Sequence, residues 1–203
     1  MALPSSGALS LNAMHVEAGG SSGTSASIND SDIRGLISKG SGAQMSFNEW
    51  YGASSNLYDG TVTNGYTNID FGFAGHYYFR GFKNGVSQQG LYTLINNVNF
   101  GSVSDGTVDF LSGASLIVLA EAVEGSAGAA VGTLNFEVSG SFSNSGFSTL
   151  KLTTNAGSNT FNRTDATYQS QNGTTSWAWT TTVNQSPFGT NGANVTSTTF
   201  EFN

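Results

Sequence analysis

Six Asn-Gly or Asp-Gly pairs punctuate this chain: Asp59-Gly60, Asn64-Gly65, Asn84-Gly85, Asp105-Gly106, Asn172-Gly173 and Asn191-Gly192. These are the dipeptides that a two-residue hairpin turn demands, because both of its residues take positive φ. Between the pairs lie short runs of period two. Leu134, Phe136 and Val138 alternate with Asn135 and Glu137, and Phe142 continues the phase. Leu150 and Leu152 flank Lys151, Trp177 and Trp179 flank Ala178, and Phe200 and Phe202 flank Glu201. The continuous apolar run from Ser115 to Ala120 predicts a strand buried on both faces. His76 to Phe79 and Thr107 to Leu111 are further strand candidates. From about Leu57 onward the pattern predicts a mainly β fold, an antiparallel β-sandwich or jelly-roll-like domain spanning 56–203.

Residues 1–55 have a different character. Three units repeat a Ser, apolar, Asn pattern: Ser10-Leu11-Asn12, Ser27-Ile28-Asn29 and Ser46-Phe47-Asn48. After each Asn comes a stretch of helical character, Ala13 to Ala18, Asp30 to Ile37 and Glu49 to Tyr51. Asn is a strong N-cap, and Asp30, Asp32 and Glu49 suit the positive end of a helix dipole. Gly19 and Gly52 read as stops. Helices this short are marginal by themselves. Their apolar residues therefore need a surface, either a satellite cluster within the chain or a neighbouring subunit. The second option makes 1–55 a docking segment, with Met45, Phe47, Trp50 and Tyr51 as candidate assembly contacts.

Composition removes whole classes of chemistry. Only 9% of residues are charged, with a formal net charge of -7, and the six bases are scattered, so nothing gathers phosphates. No cysteine is present, which excludes disulfides and thiolate sites. No apolar run approaches membrane-spanning length. The first residues lack the basic start and apolar core of a signal peptide, which predicts cytoplasmic synthesis.

Motifs for catalysis are equally thin. Gly19-Gly20-Ser21-Ser22-Gly23 fits the nucleophile-elbow pattern but lies between a short helix and a Ser-rich linker, not between strand and helix. His15 and His76 have no partner at metal-ligand spacing. Asn29-Asp30-Ser31-Asp32 lacks the later Gly and Glu of a calcium loop, and capping explains it. Glu121 with Glu124, or Asp105 with Asp109, are the carboxylate pairs available for glycoside hydrolysis, with strand and turn acids as the ordinary alternative. The expectation is no catalytic residue, no metal and no cofactor. Tyr168, Trp177 and Trp179 sit among hydroxyl and amide residues, so they suit either a sugar-facing surface or a sandwich core, the core being favoured.

Ser5 to Leu11, Ser27-Ile28-Asn29-Asp30, Ile33-Arg34-Gly35-Leu36 and Ser41 to Gly52 together resemble the leader of tailed-bacteriophage virion structural proteins, as in marine and cyanobacterial phages. That leader reads approximately Ser-Leu-Asn-Asp, then an Arg-x-Leu step, then Ser-Gly-Ala-Ile-Ser-Met-Ser-Asp-Phe-Tyr-Gly. Here Gln44 replaces Ile, Asn48-Glu49 replaces Ser-Asp and Trp50 replaces Phe. Toward the C-terminus, Phe147, Phe161-Asn162-Arg163, Asp165 to Tyr168, Gly173, Trp177-Ala178-Trp179 and Pro187-Phe188-Gly189 resemble phage fibre-associated β-domains.

The resemblance implies a non-enzymatic virion protein, as a tail fibre, fibre-anchoring or baseplate-peripheral subunit assembled in the host cytoplasm. Its partners would be other virion proteins and copies of itself, a trimer being usual for fibres, with no nucleic acid and no membrane insertion. A capsid decoration or cement protein and a host-surface glycan-binding module are the alternatives.

Overall fold

The computed structural model describes residues 3–37, 39–53, 57–70, 75–125, 131–155, 157–182, 188 and 195–203. The chain divides into two compact units, Met1–Leu57 and Tyr58–Asn203.

In the first unit a helical turn follows each Ser-apolar-Asn triplet, but the asparagine caps none of them: Ser10 caps the first, Asp30 the second and Ser46 the third. Helix α1 (Leu11–Glu17) is capped by Ser10, whose hydroxyl accepts the Ala13 N–H at 3.0 Å. A 3-10 turn at Phe47–Trp50 is capped by Ser46 with Glu49 reaching back to the Ser46 N–H at 2.9 Å, a complete capping box. Ser27 repeats half of this device, its N–H donating to Asp30 Oδ2 at 2.8 Å, just before helix α2 (Ser31–Gly35). Asn12 and Asn48 lie inside their turns, one residue past the first helical position, where their side chains cannot cap the leading N–H groups. Gly19 and Gly52 end their turns at φ +96° and +75°, as their spacing suggested.

The turns converge on one cluster. Leu3, Met14, Ile33 and Trp50 are buried together, with Leu11, Ile28, Leu36 and Met45 packed around them. The unit closes on itself through backbone pairs, Leu3 N–H to Ala53 O at 2.8 Å and Gly52 N–H to Pro4 O at 3.1 Å.

The second unit is a pair of packed antiparallel sheets. In chain order its strands are β1 (Tyr58–Thr63), β2 (Gly65–Asp70), β3 (His76–Lys83), β4 (Ser102–Val103), β5 (Thr107–Val108) and β6 (Ala114–Glu124). There follow β7 (Val131–Ser139), β8 (Thr149–Thr154), β9 (Gly157–Asn162), β10 (Thr167–Gln171), β11 (Thr174–Thr182) and β12 (Ser197–Phe202). The smaller sheet has the order β4-β1-β12-β8-β9, and the larger runs β10-β11-β7-β6-β3-β2 with β5 paired to β6. The alternating residues Leu134, Phe136, Val138, Leu150, Leu152, Trp177, Trp179, Phe200 and Phe202 all join one core between the sheets. Phe136 lies at the centre of this core, its ring 4.5 Å from Phe202 and 5.4 Å from Trp177.

Strand β6 is buried on both faces, as its apolar run predicted. A bulge between Leu116 and Val118 lets Ile117 and Val118 both join a second cluster on the outer face of the larger sheet. The chain from β3 to β4 folds back over that face, and its 3-10 turn at Gly90–Ile95 contributes Tyr92 and Ile95 to the cluster.

Of the Asn-Gly and Asp-Gly pairs, Asn172-Gly173 makes the expected hairpin, at φ 52° and 79°, between β10 and β11. Asp59-Gly60 lies inside β1, because burial of Tyr58 and Val62 and pairing with β12 outweigh local turn preference. Asn64-Gly65 marks the point where the chain leaves one sheet for the other. Here Gly65 faces Gly81 across β2 and β3, with Gly101 packed against both. A Cβ on Gly81 would lie 2.5 Å from the Leu119 carbonyl, so the backbones meet only because Gly81 carries no side chain. Of the strand candidate from Thr107 to Leu111, Thr107-Val108 alone is strand, and Asp109–Leu111 is a 3-10 turn. Asn191-Gly192 lies outside the described residues, as do Pro187 and Gly189.

Candidate functional site

In the first unit the polar residues hold loops. Asn12, displaced from capping, uses its side chain to fix residues 22 and 23: its Oδ1 accepts the Gly23 N–H at 2.8 Å and its amide donates to Ser22 Oγ at 3.3 Å. The nucleophile-like glycine-serine stretch is thus a clamped loop. Gly20 lies directly against the His15 ring, where any Cβ would collide, and His15 Nε2 meets Thr24 Oγ1 at 2.8 Å.

Arg34 is buried, and its guanidinium donates to Asn29 Oδ1 at 3.2 Å, to Ala43 O at 3.0 Å and to Gly40 O. A planar fork of five donors can tie several acceptors at once. Lys39 bridges to Glu49 at 2.9 Å. The Ser46 N–H first, and Lys39 second, hold the Glu49 carboxyl below its ordinary pKa.

The proposed assembly contacts separate on this framework. Trp50 is fully buried and donates its indole N–H to Ile33 O at 3.1 Å, so it is the centre of the cluster and not a surface contact. Met45 is half-buried against the same cluster, and the Tyr51 hydroxyl is spent on Gly7 O at 2.7 Å. Phe47 remains on the surface at 48% exposure, as does Val16 at 45%.

The C-terminal aromatics belong to the core between the sheets. Trp177 is fully buried and donates to Asn144 Oδ1 at 2.9 Å, and Trp179 donates to Asn162 O at 2.7 Å. Tyr168, opposite Trp177 across the strand pair, is half-buried with its hydroxyl on Phe142 O at 2.5 Å. Period-two placement on an inward face, with every polar handle engaged, is the core arrangement. Arg163 reinforces it by donating to Phe147 O at 2.6 Å and Asn144 O at 2.5 Å.

The carboxylate pairs also dissolve. Glu121 and Glu124 are three apart on one strand and so face opposite ways. Glu121 is buried, pairs in register with Arg80 and accepts the Thr181 hydroxyl, whereas Glu124 is exposed. Asp105 serves its own turn, accepting the Thr107 N–H at 2.8 Å. Among the described residues no cluster of His, Asp and Glu could hold a metal ion, and no helix is long and apolar enough to cross a membrane.

A buried polar layer that sequence reasoning missed lies under the β3–β4 connection. Lys83 has no exposed surface and donates to Gly85 O at 2.7 Å and Val98 O at 3.1 Å. Glu137 accepts the Gln88 N–H at 2.9 Å and the Ser87 hydroxyl at 2.5 Å. Asn96 clasps the Ser87 backbone from both sides, at 2.8 and 2.9 Å. The available signal was Lys83 and Glu137 at outward positions of strands whose other face is apolar.

No protein-family model, curated protein or solved structure matches this chain.

Proposed function

We propose that this chain is a non-enzymatic structural subunit of a tailed-phage particle, with Met1–Leu57 as its attachment element and the β-sandwich as the part it presents. The observation that carries the reading is that the leader-like residues form a unit with its own core and its own backbone closure. A segment that needed only to complete the sandwich would have no such closure. Its exposed Phe47 and Val16 supply apolar surface for a neighbouring virion protein. Sparse charge suits a subunit whose strand edges are covered by assembly. A tail fibre, fibre-anchoring or baseplate-peripheral position follows from the resemblance at both ends, with a homotrimer the favoured state.

The test is incorporation. A chain lacking residues 1–57 is expected to fold as a β-protein yet be absent from purified particles, and Phe47→Ser is expected to reduce incorporation of the full chain. Particles containing the shortened chain at normal copy number would overturn the proposal. Copy number also separates positions: tens at most per particle for a fibre, hundreds for a capsid decoration protein.

A further inference from the structure

Asn64-Gly65, Asn84-Gly85 and Asn172-Gly173 lie among the described residues, and the fold gives each a different setting. An Asn-Gly pair carries a reaction of its own. Once the glycine nitrogen loses its proton, it can attack the side-chain carbonyl carbon of the asparagine, because glycine has no Cβ to block the approach. The reaction needs two freedoms: a glycine N–H open to solvent, and an asparagine side chain able to swing toward it.

Asn64-Gly65 has neither. The Asn64 amide donates to Val195 O and to Thr198 Oγ1, both at 3.0 Å, and Gly65 is packed on the Gly101 backbone. Asn84-Gly85 has only the second. Asn84 is exposed, but the Gly85 N–H donates to Asn99 Oδ1 at 3.0 Å, and the Gly85 carbonyl accepts the Lys83 ammonium at 2.7 Å. Asn172-Gly173 has both. The two residues are exposed at the tip of the β10–β11 hairpin, and nothing lies within 4 Å of the point where a Gly173 Cβ would stand. Among the described residues neither the Asn172 side chain nor the Gly173 N–H has a hydrogen-bond partner. Asn172 must leave its left-handed conformation, φ 52°, before the reacting atoms meet. That opening is cheap at this place, because β10 is an edge strand whose residues are exposed apart from the half-buried Tyr168.

We propose that Asn172 is a site of spontaneous modification, converting to isoaspartate while the fold holds Asn64 and Asn84 back. The Gly173 nitrogen, its proton taken by hydroxide, forms a bond to the Asn172 side-chain carbonyl carbon. The carbon–nitrogen bond of the side-chain amide breaks, and ammonia leaves with a proton from water. The five-membered imide takes up water and opens at either carbonyl, to an isoaspartyl or an aspartyl residue. The sum is one amide and one water turned into one carboxylate and one ammonium. The product adds a negative charge to a chain of net charge -7. The isoaspartyl form also lengthens the two-residue turn by one backbone methylene. That turn sets Gln171 opposite Thr174, and its Gly173 carbonyl accepts the Gly140 N–H at 2.7 Å, so β10 frays from β11 once the turn is altered.

The full chain is aged at neutral and at mildly alkaline pH, digested and mapped by mass spectrometry, with isoaspartate scored in each of these peptides. Each hydrogen bond that must first break slows the attack by about 5-fold. Asn172 is therefore expected to convert about 5-fold faster than Asn84 and about 25-fold faster than Asn64. In concentrated urea the rates are expected to converge, because each pair is then the same dipeptide in an open chain. Asn99→Ala, at an exposed residue, frees the Gly85 N–H and is expected to speed conversion of Asn84 about 5-fold. Asn172→Gly keeps a turn-forming pair without the amide, so its β10 amides are expected to hold their hydrogen-exchange protection on ageing while those of the natural chain lose it. Asn64 or Asn84 converting first, a rate order that survives in urea, or Asn172 unchanged in the aged folded chain overturns the proposal. None of these outcomes bears on incorporation into particles, so the two proposals fail separately.

Discussion

Ser87 donates its hydroxyl to Glu137 Oε2 at 2.5 Å, fastening the β3–β4 connection to the middle of the larger sheet. Both side chains are buried, at 1% and 0% exposure, and Lys83 lies in the same layer. Burial raises the Glu137 carboxyl above its ordinary 4.5, outweighing the Ser87, Gln88 and Thr174 hydrogen bonds and the Lys83 charge that pull it down. The folded state therefore keeps this proton to higher pH than the unfolded chain does. Stability contributed by Glu137 is greatest below 4.5 and falls as pH rises through the raised folded value. Urea unfolding of the natural chain and of Glu137→Gln across this range should show the natural chain losing stability relative to the variant as pH rises. A difference that is flat, or that grows in favour of the natural chain, contradicts the assignment.

Arg34 ties residues 29, 40 and 43 of the first unit together through one guanidinium. Arg34→Lys keeps the charge but cannot span three acceptors, so a loss of about 1.5–3 kcal/mol is expected within this unit. Hydrogen exchange should accelerate over residues 29–43, while β6 and β7 amides keep their protection. Equal acceleration in both units would show that the two do not open independently.

Trp177→Ala should cost about 3–5 kcal/mol, the usual penalty for deleting a buried large aromatic. The natural Trp177 ring stacks on Phe136 and meets Phe147 edge-on at 5.3 Å, contacts that a smaller side chain forfeits. Thermal or urea unfolding measures the loss. A variant of natural stability would mean that the indole is not in the core.

Gly81→Ala should be more damaging than Gly85→Ala, although both residues have positive φ, +116° and +95°. Each change carries a backbone strain of about 1–3 kcal/mol. Only at Gly81 does the new Cβ also strike neighbouring backbone, 2.5 Å from Leu119 O, whereas nothing lies within 4 Å at Gly85. Comparing the two midpoints in urea isolates the close approach, and equal midpoints would argue against it.

Much of the architecture was legible in the residues themselves. Alternation at Leu134, Phe136 and Val138 placed β7 and its inward face, and the apolar run ending at Ala120 placed β6 as a strand buried on both faces. Such patterns are readable because side-chain direction along a strand repeats every two residues, whatever the partner strand is. The repeated serine triplets likewise marked three turns, although the caps are Ser10, Asp30 and Ser46 where asparagine was expected.

Other features came from pairing at a distance. Asp59-Gly60 carries the same local signal as Asn172-Gly173, yet one is mid-strand and the other a hairpin. The difference lies in β12, which pairs with β1 from the far end of the chain. The outer face of the larger sheet is set in the same way: Ala120, Asn135 and Ala178 adjoin only through the registers of three strands. Tyr92 joins the cluster on that face through the β3–β4 connection, which Lys83 and Glu137 pin. Local periodicity alone settled which residues face inward. Which residues meet across the sheet depends on long-range pairing, and periodicity carries no record of that.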